Sequence, residues 1–552
     1  MSTLSFTGER QVRFPAPDVA RGFMLALIAL ANVPFWVSFF PAHPRAGFAA
    51  LDAMTSADQW WFLVRAMFVD RRAYPLFSIL FGFGMVIMAR RTIERERRAA
   101  LDPLPRELSD GWNPVQWQIF NEAVEARARR AASRLIRRRG WWMIGIGAVH
   151  SLVFSGDIIG AYGLVAVACA ELIVMRRSWP RVVVGVCIAA LSLLSLGAMA
   201  EAMGAGLMNL EYHGPSALTG TYPLTSFGSW IASTIMTPLT SLVVPCVMIG
   251  VGVARWGALQ DPRGYRSALC AIAGVGLLVG ALGASPYALG QLDWAQVWSA
   301  GGAFALYHAT GVAGACGWLA LLALVGGGPR EASAQVGEGP GQDLGAVRSF
   351  LSAIGRRSMT AYLSQTLLFV IVFLTLGLIG VESVGVAVSG LIALGVWVVI
   401  GIGCVVSDAM GAARGPAERL LRWLVARSAS TLPLPALPPA PMGPWVPMPP
   451  AGAGMPGVPL ASGAPFAPGA PSVAGVPIPA NVGAVSNVTG APMPSHAPGV
   501  PGAPLPQSVG AASNVPAASN GAAMPAAPGD PGTKWMPPAA AQADVREADS
   551  AP

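Results

Sequence analysis

The sequence predicts an all-α fold, a polytopic membrane helix bundle of about ten transmembrane helices followed by a disordered C-terminal tail. Of the 552 residues, 53% are hydrophobic and only 12% are charged, whereas soluble globular proteins carry about 25% charged residues. Residues 22–40 and 384–406 contain no charge, and each run is long enough to cross a hydrocarbon core of about 30 Å. The mean hydropathy of +0.54 agrees, and these observations exclude a soluble enzyme.

Ten apolar segments predict the spans. Two of them, 74–89 and 140–154, are short, so they are either the cores of longer tilted helices or re-entrant segments. If both are re-entrant, eight spans remain. In chain order the segments are 22–40, 74–89, 140–154, 158–175, 182–200, 226–253, 268–289, 298–325, 358–381 and 384–406.

The distribution of arginine predicts the orientation. With the N-terminus in the cytoplasm, almost all arginines of the predicted membrane domain, 1–430, fall in inner segments, and only Arg45, Arg65, Arg71 and Arg72 lie outside. This is the positive-inside pattern. We therefore expect both termini in the cytoplasm and the lipid bilayer of a bacterial inner (plasma) membrane as the environment. The basic excess flanks the spans and no nucleic-acid motif is present, so no nucleic-acid partner is expected.

The composition changes abruptly after residue 430. Residues 431–552 contain 29 prolines and only six charged residues, with no helical or strand period. Proline fixes φ and removes a backbone donor, so this stretch cannot build a core. The tail is predicted to be disordered, with polyproline-II character and a cytoplasmic location. It is either a spacer or a ligand for a protein partner that binds proline-rich segments.

The cysteines and the glycine-rich segments predict no cofactor site. All six cysteines lie singly within apolar runs, which is neither a disulfide framework nor a metal-binding pattern. Glycine pairs such as Gly82 and Gly84 lie in apolar runs and lack the strand-to-helix context of a phosphate loop. We expect no bound metal and close helix packing at these glycines.

The first candidate site lies on the first span. Arg21 marks its predicted cytoplasmic end, and Asn32 follows eleven residues later, close to three whole helical turns, so both face the same side. Arg21 suits a phosphate or carboxylate at the membrane surface. The alternative is an ion pair of Arg21 with Asp18, while Asn32 bonds to a neighbouring helix.

The second candidate site is a hairpin between the third and fourth spans. His150 precedes a tight turn at Gly156, so it can meet Asp157 across the turn. A carboxylate beside an imidazole raises its basicity and fixes its tautomer, as a general base requires. The alternative is a structural lock in which Asp157 caps the following helix.

Two further sets of residues are weaker candidates for substrate binding. His308 follows Tyr307 in the eighth span, where a lone histidine is also compatible with helix packing. His43, Arg71 and Arg72 lie on the predicted outer side and would suit an anionic or glycan substrate. A role at lipid headgroups is the alternative for these three.

Several of these residues fall in segments that resemble the YeiB-like family of uncharacterised bacterial integral membrane proteins. The resemblance covers residues 18 to about 422 and is carried, in the family's order, by segments 18–23 with Asn32, 74–84, 150–158, 355–365 and 415–418. The family is similar to transmembrane acyltransferases, which implies transfer of an acyl group from a cytoplasmic acyl-CoA donor to an extracytoplasmic sugar. In one branch a catalytic histidine stands eleven residues after the arginine, where this chain has Asn32. The implied base is therefore His150 or else His43.

Three functional hypotheses follow. The first is an acyltransferase for an envelope glycan or lipid, in which Arg21 and Asn32 bind the donor, His150 and Asp157 catalyse, and Arg71, Arg72 and His308 bind the acceptor. The second is a transporter or channel, although no internal repeat is evident. The third is a non-catalytic scaffold whose tail recruits partners.

Overall fold

The protein is described by a computed structural model, whose described part is mainly helical. The described residues are 15–38, 54–102, 104, 112–204, 220–295, 299–327, 345–381, 384–412, 414–429, 432–435 and 437. Within them the chain forms fourteen helices and no strand. The helices are α1 (Pro15–Ser38), α2 (Ser56–Phe68), α3 (Ala73–Leu101), α4 (Pro114–His150), α5 (Ile159–Val174), α6 (Trp179–Gly204), α7 (Tyr222–Thr240), α8 (Val243–Trp256), α9 (Arg266–Gln291), α10 (Ala300–Gly326), α11 (Ala346–Arg356), α12 (Ser358–Leu378), α13 (Val386–Ala409) and α14 (Pro416–Arg427).

The described helices confirm a multi-pass membrane fold. Seven stretches are long and apolar enough to span a membrane: α1, α2 with α3, α6, α9, α10, α12 and α13. Helices α7 and α8 are bent by 59° at a short break, and the pair forms either an eighth, broken span or a re-entrant loop. The remaining two of the ten predicted segments correspond to α5, an apolar helix of 16 residues, and to the end of α4.

The two short apolar segments are parts of much longer helices. Segment 74–89 lies in the 29-residue α3, and most of segment 140–154 lies in the 37-residue α4. Arginine is a good helix former, so both helices extend into arginine-rich sequence. A hydropathy pattern identifies only the apolar part of each helix. A capping box of Asn113 and Gln116 starts α4, with Pro114 in its first turn.

The bundle has two chemically different ends. We call the end that contains Arg21, Arg139 and Glu418 the arginine end, and the opposite end, which contains Asn32 and Asp157, the tyrosine end. Helix α1 runs from the first to the second, and Arg21 approaches Gly84 as α3 returns to the arginine end.

The outer surface of the bundle is apolar. Val182, Val186 and Leu194 of α6 are 61%, 62% and 72% exposed, and only 11% of the apolar window of this helix is buried. Exposed side chains of this kind fit a lipid environment rather than water. Inside the bundle α9 and α10 approach closely where Gly280 faces Gly314, because a Cβ on Gly280 would lie 2.8 Å from the Gly314 Cα.

The arginine-rich half of α4 contacts the start of the proline-rich sequence. The Arg127 guanidinium donates hydrogen bonds to the carbonyls of Pro433 and Leu432, at 2.8 and 3.0 Å, and pairs with Glu96 of α3 at 2.8 Å. Beyond residues 432–435 and 437, the predicted tail 431–552 lies outside the described residues, as does His43. The prediction of disorder therefore stays a prediction.

Candidate functional site

A cavity of about 320 Å³ lies at the tyrosine end of the bundle. The turn that joins α2 to α3 and the hairpin turn before α5 both contribute to its wall. Its polar lining comprises an amide, two guanidinium groups, a carboxylate and four tyrosines, namely Asn32, Arg65, Asp70, Arg71, Tyr74, Tyr287, Tyr307 and Tyr362. Such a mixture of aromatic surface and a few polar groups is typical of small-molecule sites.

The charges of the cavity sum to a positive value. Arg65 pairs with Asp70 at 2.9 Å, which leaves the guanidinium of Arg71 as an additional cation in the lining. Arg71 lies over the rings of Phe304 and Tyr307, 5.6 and 5.9 Å from their centroids. The site therefore suits a ligand that carries negative charge.

The backbone of Arg71 is strained. Its φ of +61° lies in the left-handed region, which costs a non-glycine residue about 1–2 kcal/mol. Its carbonyl packs against Gly311 of α10, at a point where a Cβ would collide. Strain of this kind is concentrated at functional sites, and here it turns Arg71 toward the cavity.

The neighbouring Arg72 does not line the cavity. Its side chain is buried, and it donates hydrogen bonds to the carbonyls of Ala66 at 2.7 Å, Asp70 at 2.6 Å, and Gly280. The guanidinium thus ties the α2–α3 turn to α9. Arg72, expected from sequence to bind substrate, donates to backbone carbonyls and is absent from the cavity lining, so substrate binding by Arg72 stays a prediction.

His150 and Asp157 meet across the hairpin turn. The His150 Nδ1 lies 2.7 Å from Asp157 Oδ1, while Asp157 Oδ2 accepts the Gly160 amide at 2.9 Å and the Trp230 indole N–H at 3.2 Å. Because Asp157 accepts hydrogen bonds at both of its oxygens, the proton shared between Asp157 and His150 belongs to His150 Nδ1. The bond to Gly160 is also the helix cap that the structural alternative predicts.

The other ring nitrogen of His150 faces a hydroxyl. Its Nε2 lies 2.9 Å from Thr366 Oγ1 of α12, and with Nδ1 protonated it accepts the Thr366 hydrogen bond. Tyr362, one turn earlier on α12, packs edge-on against His150 at 5.5 Å and lines the cavity. His150 therefore lies directly behind the cavity wall.

His308 lies behind a different part of the wall. Tyr74 lines the cavity, and its hydroxyl faces His308 Nδ1 at 3.4 Å. The imidazole itself is buried against the Phe304 ring, and its Nε2 has no hydrogen-bond partner among the described residues. His308 itself does not line the cavity, so substrate binding by this residue stays a prediction.

Arg21 and Asn32 belong to different ends of the bundle. Eleven residues of helix separate them by about 16 Å along the axis, and Asn32 lines the cavity whereas Arg21 pairs with Asp18 at 3.3 Å. The structure does not bring the two predicted donor-binding residues together. Asn32 instead joins Arg71 in one cavity.

A cluster of cations at the arginine end is centred on Arg139 and includes Arg21. Arg139 lies within electrostatic range of Arg21, Arg422 and Glu418, and its Nε is buried without a hydrogen-bond partner in the described part of the chain. Burial lowers the pKa of Arg422, and the nearby Arg414 lowers it further. An anion would offset this repulsion, so the residues fit a phosphate-bearing ligand.

Sequence reasoning missed Thr366, Trp230 and the cavity tyrosines other than Tyr307. Intramembrane threonine and tryptophan are too common to indicate a site. Tyrosine did carry a signal, because the chain has only eight and four of them line this one cavity.

The fold and the site define a multi-pass helical membrane protein. A model of the family described as "Protein of unknown function (DUF418)" matches residues 253–428. The matched region includes Tyr287, Tyr307, Tyr362 and Thr366, and it is consistent with the YeiB-like resemblance. No curated protein and no solved structure matches the chain.

Proposed function

We propose that this protein transfers an acyl group to a hydroxyl or amine of an envelope glycan or lipid, with the acceptor bound in the cavity at the tyrosine end. The observation that carries the proposal is the hydrogen-bonded series Asp157–His150–Thr366 directly behind the cavity wall. A hydroxyl, an imidazole and a carboxylate in this order form the arrangement by which an imidazole accepts a proton from a nucleophile.

His150 is the general base in this proposal. Asp157 holds the Nδ1 proton and stabilises the imidazolium that forms when Nε2 gains a second proton. The position now taken by the Thr366 hydroxyl is the position that the acceptor's hydroxyl or amine occupies during transfer. Tyr362 separates His150 from the cavity, so its rotation away from His150 admits the acceptor.

The cavity lining selects the acceptor. Arg71 and the pair of Arg65 with Asp70 give a net positive charge, which favours an acceptor with an acidic group. The tyrosine rings provide flat surfaces with polar edges, which suit a sugar. We therefore propose an acidic sugar or a headgroup with a similar mixture of hydroxyls and negative charge.

The arginine end supplies the donor site. An acyl-CoA donor would provide the acyl group as a thioester. The acceptor's oxygen or nitrogen would form the new acyl bond, the thioester C–S bond would break, and coenzyme A would leave as a thiol carrying the proton that His150 removed from the acceptor. Arg21, Arg139 and Arg422 are the residues that would hold its phosphates. In the orientation that the arginine distribution predicts, this end faces the cytoplasm, where such donors occur, and the acceptor cavity faces outward.

A transporter is the second candidate, and the break between α7 and α8 is the observation that favours it. Broken helices whose carbonyls coordinate cargo are typical of transporters. Here the Ser192 hydroxyl donates to the carbonyls of Leu239 and Ser241, at 3.1 and 2.9 Å. These carbonyls are already paired, so acyl transfer remains the better supported function.

The test compares envelope glycans and lipids by mass spectrometry in cells with the intact protein, a full deletion, His150→Gln and Asp58→Asn. Asp58 is a matched control because its carboxylate also joins two segments, accepting from Thr55 and from the Ala387 amide at 2.7 Å. We expect one acyl modification to disappear in the deletion and in His150→Gln at equal protein level, but to persist in Asp58→Asn. An unchanged acyl profile in the deletion contradicts the proposal and directs attention to transport.

A further inference from the structure

A second cavity lies at the arginine end, and its lining includes none of the residues proposed to bind the acyl donor or the acceptor. Its volume is about 300 Å³, and it lies between α3, α5 and α8. Three arginines line it, Arg90, Arg176 and Arg255, above an apolar wall that includes Val86, Ile173 and Val174. Cationic groups above an apolar wall match the junction between a charged headgroup and acyl chains.

The position of Arg255 is fixed by the end of α5. Its guanidinium donates to the carbonyl of Arg176 at 3.0 Å and to that of Met175. The buried Arg181 donates to the Met175 carbonyl as well, at 2.7 Å, and to Leu172 at 3.3 Å. Two arginines thus cap the carbonyl end of α5, which places positive charge at one side of the cavity.

All three arginines of the cavity are exposed. Within the described residues, no carboxylate pairs with Arg90, Arg176 or Arg255. Three guanidinium groups that converge on one cavity repel one another, and a bound anion removes this repulsion.

Aromatic residues place the opening of the cavity at the membrane interface. Trp256 follows Arg255 and is 39% exposed, and Trp179, which begins α6, is 62% exposed. Tryptophan is enriched at the headgroup level of bilayers. Exposed Val182 and Val183 continue α6 away from this level as lipid-facing surface.

We propose that the cavity of Arg90, Arg176 and Arg255 binds a phosphate group at the membrane surface. An anionic phospholipid is the source that the structure favours, because the apolar wall and the flanking tryptophans accommodate its glycerol and first acyl carbons. A soluble phosphate shares the same recognition chemistry and is distinguished by experiment. The site does not depend on the acyl-transfer proposal.

The experiment titrates the purified full chain, in a neutral detergent, with phosphatidylglycerol and follows bound lipid by native mass spectrometry. The variant Arg90→Gln/Arg176→Gln removes two cations and leaves Arg255 on the α5 carbonyls. The control Arg98→Gln/Arg263→Gln removes two exposed arginines outside the cavity. We expect the first variant to weaken binding of the tightest lipid about tenfold or more, and the control to leave it unchanged.

Two further arms identify the ligand. Millimolar inorganic phosphate that displaces the tightest phosphatidylglycerol assigns the site to soluble phosphate, whereas retention of the lipid assigns it to phospholipid. The proposal is overturned if Arg90→Gln/Arg176→Gln binds phosphatidylglycerol as tightly as the native chain. It is equally overturned if phosphatidylcholine binds this cavity as tightly as phosphatidylglycerol.

Discussion

His150 and Asp157 are seven residues apart and are joined by a 2.7 Å hydrogen bond across the turn between α4 and α5. The Asp157 carboxylate is fully buried, and the His150 side chain is only 7% exposed. The pair fixes the hairpin and also orients the imidazole toward Thr366. The same two side chains therefore hold the hairpin together and form the proposed catalytic pair, and variants must be chosen to separate these two roles.

The first prediction concerns the carboxylate. Asp157→Ala leaves the Gly160 amide and the Trp230 indole N–H without their acceptor in a buried site. Each such group costs about 1–3 kcal/mol, so we expect a clear fall in the thermal unfolding midpoint in detergent. Trp230→Phe removes only one of the donors and should lower the midpoint less. Equal midpoints for Asp157→Ala and the native chain would show that the network contributes little to stability.

The second prediction uses two glycines on α4. A Cβ on Gly147 would lie 2.6 Å from Asp157 Oδ2 and 2.7 Å from the Gly160 nitrogen, whereas nothing lies within 4 Å of one on Gly145. Gly147→Ala should destabilise the protein by about 1–3 kcal/mol through overpacking. Gly145→Ala should be neutral or stabilise it by up to about 1 kcal/mol. Chemical unfolding of both variants tests the difference, and the reverse order would contradict the helix packing described here.

The third prediction concerns the backbone strain at Arg71. Arg71→Gly and Arg71→Ala both remove the guanidinium, but only glycine accepts the φ of +61° without strain. We expect the glycine variant to be more stable than the alanine variant by about 1 kcal/mol. Unfolding free energies of the two proteins measure this difference directly. If alanine is as stable as glycine, the left-handed conformation is not imposed by the fold.

The fourth prediction separates the two adjacent arginines. Arg72→Met leaves the carbonyls of Ala66, Asp70 and Gly280 without their donor, and a loss of about 2–4 kcal/mol is expected from these unpaired buried groups. Arg71→Met should change the unfolding free energy far less, because that guanidinium contacts aromatic rings rather than carbonyls. Similar losses for the two variants would contradict the separate roles assigned to them.

Sequence patterns predicted the features that depend on residues close together in the chain. The spans follow from runs of apolar residues, and the proximity of His150 to Asp157 follows from a turn of a few residues. Thr366 and Trp230 reach the same network from α12 and α7, and no local pattern specifies which helix faces which. The opposite environments of Arg71 and Arg72 were also unpredictable, since they depend on one positive φ and on the positions of α9 and α10.

The pattern of apolar residues also did not indicate the full length of α4. Only its last third resembles a membrane segment, yet the helix is continuous from Pro114 to His150 and has no proline beyond its first turn. Arg127 donates to the carbonyls of Leu432 and Pro433. It lies on the same helix as His150, about 35 Å away along the helix axis. Because α4 is one continuous helix, a change in its tilt or twist where the proline-rich sequence contacts it would also move His150.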